Sequence, residues 1–225
     1  MNTFQYADCR DDCVDWYNNE HAPARITLLA YLNGSRYKAV DGKAPSWLTL
    51  YDVTEPAAGA VTAPDYEVLV QNRSSREKDI LQKIQSLSRR VYANLYNTVL
   101  PEGKSAVQLP ETYHVLYVAM QVREGAEFED EFNKWYTEEH LGLIAKIPGY
   151  IRGRRFKLSS SSARGEAEND VVGQYLAIYE FAEGGYLGTE EGKKARSTPW
   201  REATLKKSVT FSDVRMFELD KTFSK

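Results

Sequence analysis

The sequence predicts an α+β protein made of two tandem copies of a split βαβ module, and three observations predict it. Trp16-Tyr17-Asn18-Asn19-Glu20-His21 recurs as Trp135-Tyr136-Thr137-Glu138-Glu139-His140, 119 positions further on. The same register carries Tyr31–Lys38 onto Tyr150–Lys157 without a gap, with four of the eight positions identical. In the second half the hydrophobic period switches between that of strands and that of helices in the order β-α-β-β-α-β. Two motifs in one register mark a duplicated module. The repeats are expected at 1–103 and 104–225, with Pro101-Glu102-Gly103-Lys104 as the linker.

Each element has its own reason. Tyr113–Val122 is β-branched, aromatic and almost continuously apolar, which reads as a strand buried on both faces. Across Glu127–Ile147, Phe128, Phe132, Trp135, Tyr136, Leu143, Ile144 and Ile147 follow a 3.6-residue period, and Pro148-Gly149 ends that helix. Strands follow at Tyr150–Leu158 and Gln174–Phe181. Between them, the Ser-rich and acidic stretch Ser159–Asp170 reads as a loop. Trp47–Val53 matches Tyr175–Phe181 at an offset of 128, so that loop absorbs the change of register. Gly185–Lys207 reads as two short helices, because Ser197-Thr198-Pro199 is a cap followed by proline. Val209–Leu219 closes the copy.

The first copy predicts a helix near Asp8–Ala22, strands at Asn33–Ala39 and Trp47–Val53, helices within Asp65–Ser88 and a strand at Val91–Val99. The counterpart of Tyr113–Val122 would run from before Met1 to Thr3. The first module is therefore expected to lack its opening strand. The strand and helix order is that of ferredoxin-like modules.

Composition bounds the function classes. The 225 residues are 42% hydrophobic and 27% charged, enough to bury a core in one domain or two small ones. A net charge of -3 argues against nucleic acid or an anionic membrane as the main partner. No apolar run reaches the roughly 20 residues of a membrane span, and residues 1–20 lack an apolar signal core. A cytoplasmic location is expected. Cys9 and Cys13 fall on Phe128 and Phe132 in the repeat register, so both are expected as reduced core thiols rather than ligands. With three histidines, no phosphate loop, no Gly-x-Ser-x-Gly elbow and no His-Glu-x-x-His, no metal site is expected.

The candidate chemistry lies on the repeated helix. His140 follows Tyr136 by four residues and precedes Leu143 and Ile144, so it shares the buried face. His21 occupies the same place after Tyr17. A buried imidazole needs a partner, and its pKa is tunable across neutrality, which suits general acid–base work. A core histidine held by a carbonyl or by a glutamate is the other reading. Tyr17 and Tyr136 could place a phenol beside each imidazole, and Trp135 adds an aromatic surface. Arg36 and Arg155 occupy matching strand positions. Each could clamp a carboxylate or phenolate, or belong to a solvated face with cross-strand acidic partners. Arg152 and Arg154 extend that cluster.

The Trp-Tyr-x-x-Glu-His helix, Ile147-Pro148-Gly149-Tyr150 and Arg155-Phe156-Lys157 together resemble the EthD-type branch of the dimeric α+β barrel superfamily. The first copy resembles the N-terminal half of two-repeat EthD-like proteins of filamentous fungi. That resemblance implies a barrel closed within one chain, a pseudo-dimer, with a further homodimer left open. It implies no cofactor and a small aromatic or acidic substrate. The activity implied is a dehydratase, decarboxylase or cyclase of a polyketide-like substrate. His140 and His21 would be the acid–base groups with Tyr136, His140 the main one and His21 secondary because the first copy is expected to lack a strand, and Arg155, Arg36, Tyr17 and Trp135 would bind substrate. A cofactor-free monooxygenase and a non-catalytic ligand-binding or accessory protein are the alternatives.

Overall fold

The computed structural model describes residues 2–7, 11–54, 61–95, 99–100 and 112–225. Cys9 and the expected repeat boundary at 103/104 lie outside these residues. The chain forms two compact units. The first comprises Met1–Ala93, Leu158–Asp170 and Phe217–Lys225, the second Asn94–Lys157 and Val171–Met216.

The elements run β1 (Asn2–Ala7), α1 (Asp11–Trp16), α2 (Ala22–Ile26), β2 (Tyr31–Ala39), β3 (Trp47–Val53), α3 (Pro64–Gln71), α4 (Ser75–Lys83) and β4 (Ser86–Asn94). They continue with β5 (His114–Val122), α5 (Ala126–Trp135), α6 (Leu141–Ile144), β6 (Tyr150–Gly165), β7 (Tyr175–Phe181), α7 (Glu190–Ala195), α8 (Pro199–Ser208) and β8 (Val209–Ser224). In the first unit β1 lies between β4 and β3, and β2 follows β3, all antiparallel. The C-terminal part of β8 completes that sheet beside β2, with Gly34 opposite Phe223 and Ala39 opposite Phe217. In the second unit β7 is central, pairing antiparallel with β5 and with the first part of β6.

The expectation of a missing opening strand is corrected: β1 fills that slot, with Phe4 opposite both Thr49 and Arg89. The physical reason is a shorter connection. The last residue of β1, Ala7, precedes Trp16 by 9 positions, where the last residue of β5, Val122, precedes Trp135 by 13, so a uniform register pushes the first strand past Met1. The loop expected at Ser159–Asp170 is also corrected. Strand β6 continues to Gly165, and a 3-10 turn follows at Glu166–Asn169. A ladder needs only backbone groups, so an exposed serine run can serve as a strand where its neighbour supplies partners. At its end Glu166 N–H donates to the Gln85 carbonyl at 3.0 Å, and Gln85 Nε2 donates to Glu166 Oε1 at 2.7 Å. Strand β4 sits earlier than expected, and Val99 makes an isolated bridge to Gly153. Strand β8 runs on beyond the expected Leu219 to Ser224. Cys13 is half-buried and disulfide-bonded, which corrects the expectation of a reduced, buried thiol there. A thiol is smaller than the ring of its counterpart Phe132, so it seals the core less completely and stays open to oxidation.

Each unit is built on aromatics. Trp16, Tyr17, Tyr31 and Tyr51 are fully buried in the first, as are Phe132, Trp135, Tyr136 and Tyr179 in the second. Their packing depends on a repeated glycine. A Cβ on Gly34 would lie 2.8 Å from the Tyr51 ring, and one on Gly153 would lie 3.1 Å from the Tyr179 ring. Only hydrogen fits beneath each tyrosine. Replacing Gly34 by Ala should therefore destabilise the protein by about 1–3 kcal/mol, the usual cost of overpacking. Urea unfolding would register this, and an unchanged midpoint would contradict the close approach.

Candidate functional site

The two histidine helices share a local irregularity. Between α1 and α2 the backbone makes a π turn over Tyr17–His21, closed by the Ala22 N–H donating to the Tyr17 carbonyl. The same turn spans Tyr136–His140, closed by Leu141 N–H to the Tyr136 carbonyl. A π turn inserts one residue into the helical period, and such turns are frequent at functional sites. It brings each histidine over the tryptophan five residues earlier. Trp16 and His21 have ring centroids 4.4 Å apart, as do Trp135 and His140. The tyrosines are farther, at 4.9 Å for Tyr17–His21 and 5.3 Å for Tyr136–His140.

The glutamate of the motif also has a repeated task. Glu139 Oε2 accepts from Thr198 Oγ1 at 2.6 Å, while Thr198 Oγ1 accepts from the Arg201 N–H at 3.2 Å and so caps α8. In the first unit Glu20 accepts from the Ser74 hydroxyl, which caps α4 by accepting from the Glu77 N–H at 2.9 Å. The glutamate thus ties the histidine helix to the start of the next long helix. The third residue of that helix is Glu77 in one unit and Arg201 in the other.

That difference separates the two histidines chemically. His21 Nδ1 lies 3.1 Å from Glu77 Oε1. Arg25 Nη2 donates to the same oxygen at 3.2 Å, and Arg73 Nε lies 3.4 Å from it. Burial works against the Glu77 carboxylate, but the His21 hydrogen bond and the charges of Arg25 and Arg73 outweigh it and hold its pKa at about 2. Burial, followed by the charge of Arg25, lowers His21 to about 3. Below neutrality His21 is therefore still a neutral imidazole. Facing an ionised carboxylate, Nδ1 carries the proton and donates it, which leaves the lone pair on Nε2. Glu77 orients a base.

His140 has no such partner. Burial, then the charges of Arg201 and Arg155, lower it to about 3, with the Ala195 backbone opposing them in part. Its Nδ1 meets no hydrogen-bond partner among the described residues. The ring packs between Trp135, Tyr136 and Tyr179.

A cavity of about 270 Å³ opens on His21 in the first unit. Its wall includes Arg25, Arg73, Arg89 and Arg164, with Tyr66, Leu81 and Leu87 supplying apolar and aromatic surface. Four guanidinium groups line the cavity and no carboxylate is among its lining residues, so the cavity is cationic. Arg89 Nη1 donates to the Tyr66 hydroxyl.

The other expected site residues pack inside their own units. Arg36 is fully buried, its guanidinium 3.9 Å from the Trp47 ring centre, and its Nη1 donates to Asn18 Oδ1 at 2.7 Å. Arg155 lies 3.7 Å above the Tyr136 ring and donates to Asn133 Oδ1 at 3.0 Å. Neither is on a solvated face, and neither lines the His21 cavity. Arg152 and Arg154 do pair across strands, at 2.9 and 2.8 Å from Glu180 Oε1. The Tyr17 and Tyr51 hydroxyls are 3.0 Å apart. Trp135 Nε1 donates to Glu139 Oε2 at 3.2 Å. The structure thus brings His21, Tyr17 and Arg36 together in one unit, and His140, Tyr136, Trp135 and Arg155 in the other. Sequence reasoning missed Glu77, Arg25, Arg73, Arg89 and Arg164. Ser74 followed three residues later by Glu77 does announce a helix start. Nothing in the sequence, however, links Glu77 to a histidine 56 positions earlier.

No protein-family model matches the chain, and no curated protein matches it. Solved structures do. An anthrone oxidase-like protein matches with a TM-score of 0.64 at 11% identity, covering 99% of this chain and 91% of its own. A candidate monooxygenase from Lactobacillus acidophilus NCFM matches at 0.53 and 10% identity, covering 99% of this chain and 94% of its own. Another from Fusobacterium nucleatum subsp. nucleatum ATCC 25586 matches at 0.56 and 8% identity, covering 100% and 93%. These similarities establish the fold: the chain is an α+β protein with the dimeric α+β barrel fold, both ferredoxin-like modules lying in one polypeptide. None of these three names the EthD-type branch. Among the described residues no helix is long and apolar enough to cross a membrane.

The lowered histidine values carry a stability signature. The usual imidazole value is 6.5, and His140 lies at about 3. Between those values the unfolded chain binds the proton and the folded chain does not, so this stability is present above pH 6.5 and is lost as pH falls. At about 1.4 kcal/mol per pH unit, His140 should account for about 2 kcal/mol of the loss between neutrality and pH 5. Urea unfolding of wild type and His140→Gln at the two pH values should show a drop smaller by about that amount in the variant. Equal drops would refute the neutral buried imidazole.

Proposed function

We propose that this chain is a cofactor-free oxidase or monooxygenase of a small aromatic substrate, acting at the His21 cavity. The observation that carries the reading is the His21 Nδ1–Glu77 Oε1 contact of 3.1 Å at a cavity wall. It has the geometry of a base held in one tautomer by a carboxylate, an arrangement that suits general-base catalysis. The neighbours of like fold are an anthrone oxidase-like protein and candidate monooxygenases, which supports oxygen chemistry over the dehydratase, decarboxylase or cyclase reading.

In this reading His21 Nε2 removes a proton from an activated C–H or a phenolic O–H. The cationic wall stabilises the anion that forms. That electron-rich anion is the reductant, and molecular oxygen is the oxidant. For a ring methylene, one oxygen atom becomes the new carbonyl and the other leaves as water with the two hydrogens, so the step balances. Leu81, Leu87 and Tyr66 provide the apolar surface for the ring. His140, Tyr136 and Arg155 form the buried aromatic and cationic core of the second unit, and His140 is assigned the lesser part in turnover.

Oxygen uptake with anthrone and related phenols tests the reading. His21→Gln, with its fold verified by circular dichroism, should lower turnover by about 10²–10⁴-fold, the usual contribution of a general base. Glu77→Gln should reduce it in the same direction, and His140→Gln should leave it near wild type. Full turnover in a folded His21→Gln protein would overturn the assignment. Turnover that persists without oxygen would restore the lyase-type reading, and binding without turnover would favour a ligand-binding protein.

A further inference from the structure

The charge around the His21 cavity is not balanced within the protein. Of its four arginines, Arg25 and Arg73 share the single carboxylate of Glu77, which leaves positive charge over. Arg89 donates to a neutral phenol, the Tyr66 hydroxyl. Arg164 has no acidic partner among the described residues, and its charge acts on Arg73, another cation. Arg89 is half-buried on β4 and Arg164 is exposed on the continuation of β6. Two guanidinium groups without a carboxylate therefore border one small cavity whose wall also holds His21, the imidazole oriented by Glu77.

We infer that the ligand of this cavity is an aromatic carboxylate, its acid group seated on Arg164 and Arg89 and its ring against Tyr66, Leu81 and Leu87. The inference rests on the proposed use of His21 as the base, and it names the substrate class for that site. Three features carry it. Guanidinium groups bind carboxylates by charge-assisted, often bidentate hydrogen bonds. A cavity of about 270 Å³ falls at the lower limit of small-molecule sites, which suits a compact ring acid and not a long chain. The arginines also serve the chemistry. With the acid anchored at Arg164 and Arg89, the ring lies toward His21, and Arg25 and Arg73 stand ready for the charge that deprotonation creates.

The extension of β6 builds part of this wall. Ser162, Ala163 and Arg164 reach the cavity only because the strand runs on past Leu158. Ser162 and Ala163 are small side chains that keep the wall low, and Arg164 is the residue of that stretch with a long cationic reach. Arg164 is thus a specificity-determining residue on a segment that contributes no buried apolar core of its own.

Calorimetric titration of the full chain with salicylate, salicylamide and inorganic phosphate tests this. Salicylate should bind at least tenfold more tightly than the uncharged salicylamide. Arg164→Gln and Arg89→Gln should each weaken salicylate by about ten- to hundredfold, the worth of one charge-assisted hydrogen bond. Salicylamide binding should not change. Arg164 is exposed, so its variant should retain the wild-type melting temperature and isolates binding from folding. Equal binding of salicylate and salicylamide would overturn the inference. So would phosphate binding as tightly as salicylate, because the cavity would then select a bare anion and not a ring acid. Failure of the function reading looks different: arginine-dependent salicylate binding with no oxygen uptake from any phenol would sink the oxidase assignment and leave the ligand class standing. Oxygen uptake from neutral phenols without salicylate binding would do the reverse.

Discussion

Both units hang on the residue that the π turn inserts. In a regular helix the tyrosine and histidine of the repeated motif would lie one above the other, and the tryptophan would point elsewhere. The wider turn moves each imidazole onto its tryptophan at 4.4 Å and leaves the preceding glutamate aimed at the next helix. That glutamate takes a hydrogen bond from a capping hydroxyl, Ser74 or Thr198, and the same hydroxyl satisfies the first turn of α4 or α8. One backbone irregularity therefore positions an imidazole, a carboxylate and the N-terminus of a second helix. It also decides which residue of that second helix faces the imidazole.

The copies diverge at that last residue. Glu77 makes the first-unit imidazole a hydrogen-bonded, oriented base, and Arg25 and Arg73 keep the glutamate ionised without protonating the histidine. The second unit has Arg201 at that place, and there burial and a neighbouring cation hold the imidazole neutral, with no carboxylate among the described residues to orient it. The buried arginines of the strands, Arg36 and Arg155, are alike in both copies and lie over aromatic faces. Duplication thus preserved the packing and changed the chemistry by exchanging one charge at the third position of a helix. An acid–base role belongs to the copy with the carboxylate, and the stacked aromatics of the other copy serve its core.

The long strands distribute material between the units in a way a linear repeat conceals. The first unit takes in Leu158–Asp170 and Phe217–Lys225 from the second half of the chain. By composition the first of these stretches reads largely as loop, and most of the second lies beyond the last expected strand. Phe217 is fully buried and Phe223 nearly so, and they fill positions opposite Ala39 and Gly34 on β2. The continuation of β6 brings Arg164 to the cavity of the same unit. The candidate site is therefore built from distant parts of the sequence: the histidine helix, α4, β4 and the far end of β6.

The duplicated module, the type of nearly every element and the apolar stripe that buries the two histidines are legible without coordinates. They follow from local periodicity and from a register that needs no third dimension, as in Trp16 over Trp135 and Gly34 over Gly153. The opening strand escapes such a reading because β1 ends closer to Trp16 than β5 does to Trp135, a length change that a uniform offset cannot absorb. The serine-rich end of β6 escapes it because backbone pairing leaves no hydrophobic mark. Tertiary structure alone separates the histidines. A π turn has no compositional signature, and Glu77 meets His21 only after two helices distant in sequence are packed together. Charge, hydrogen bonding and cavity shape at that point are properties of the packed unit, so they exist only once the chain is folded.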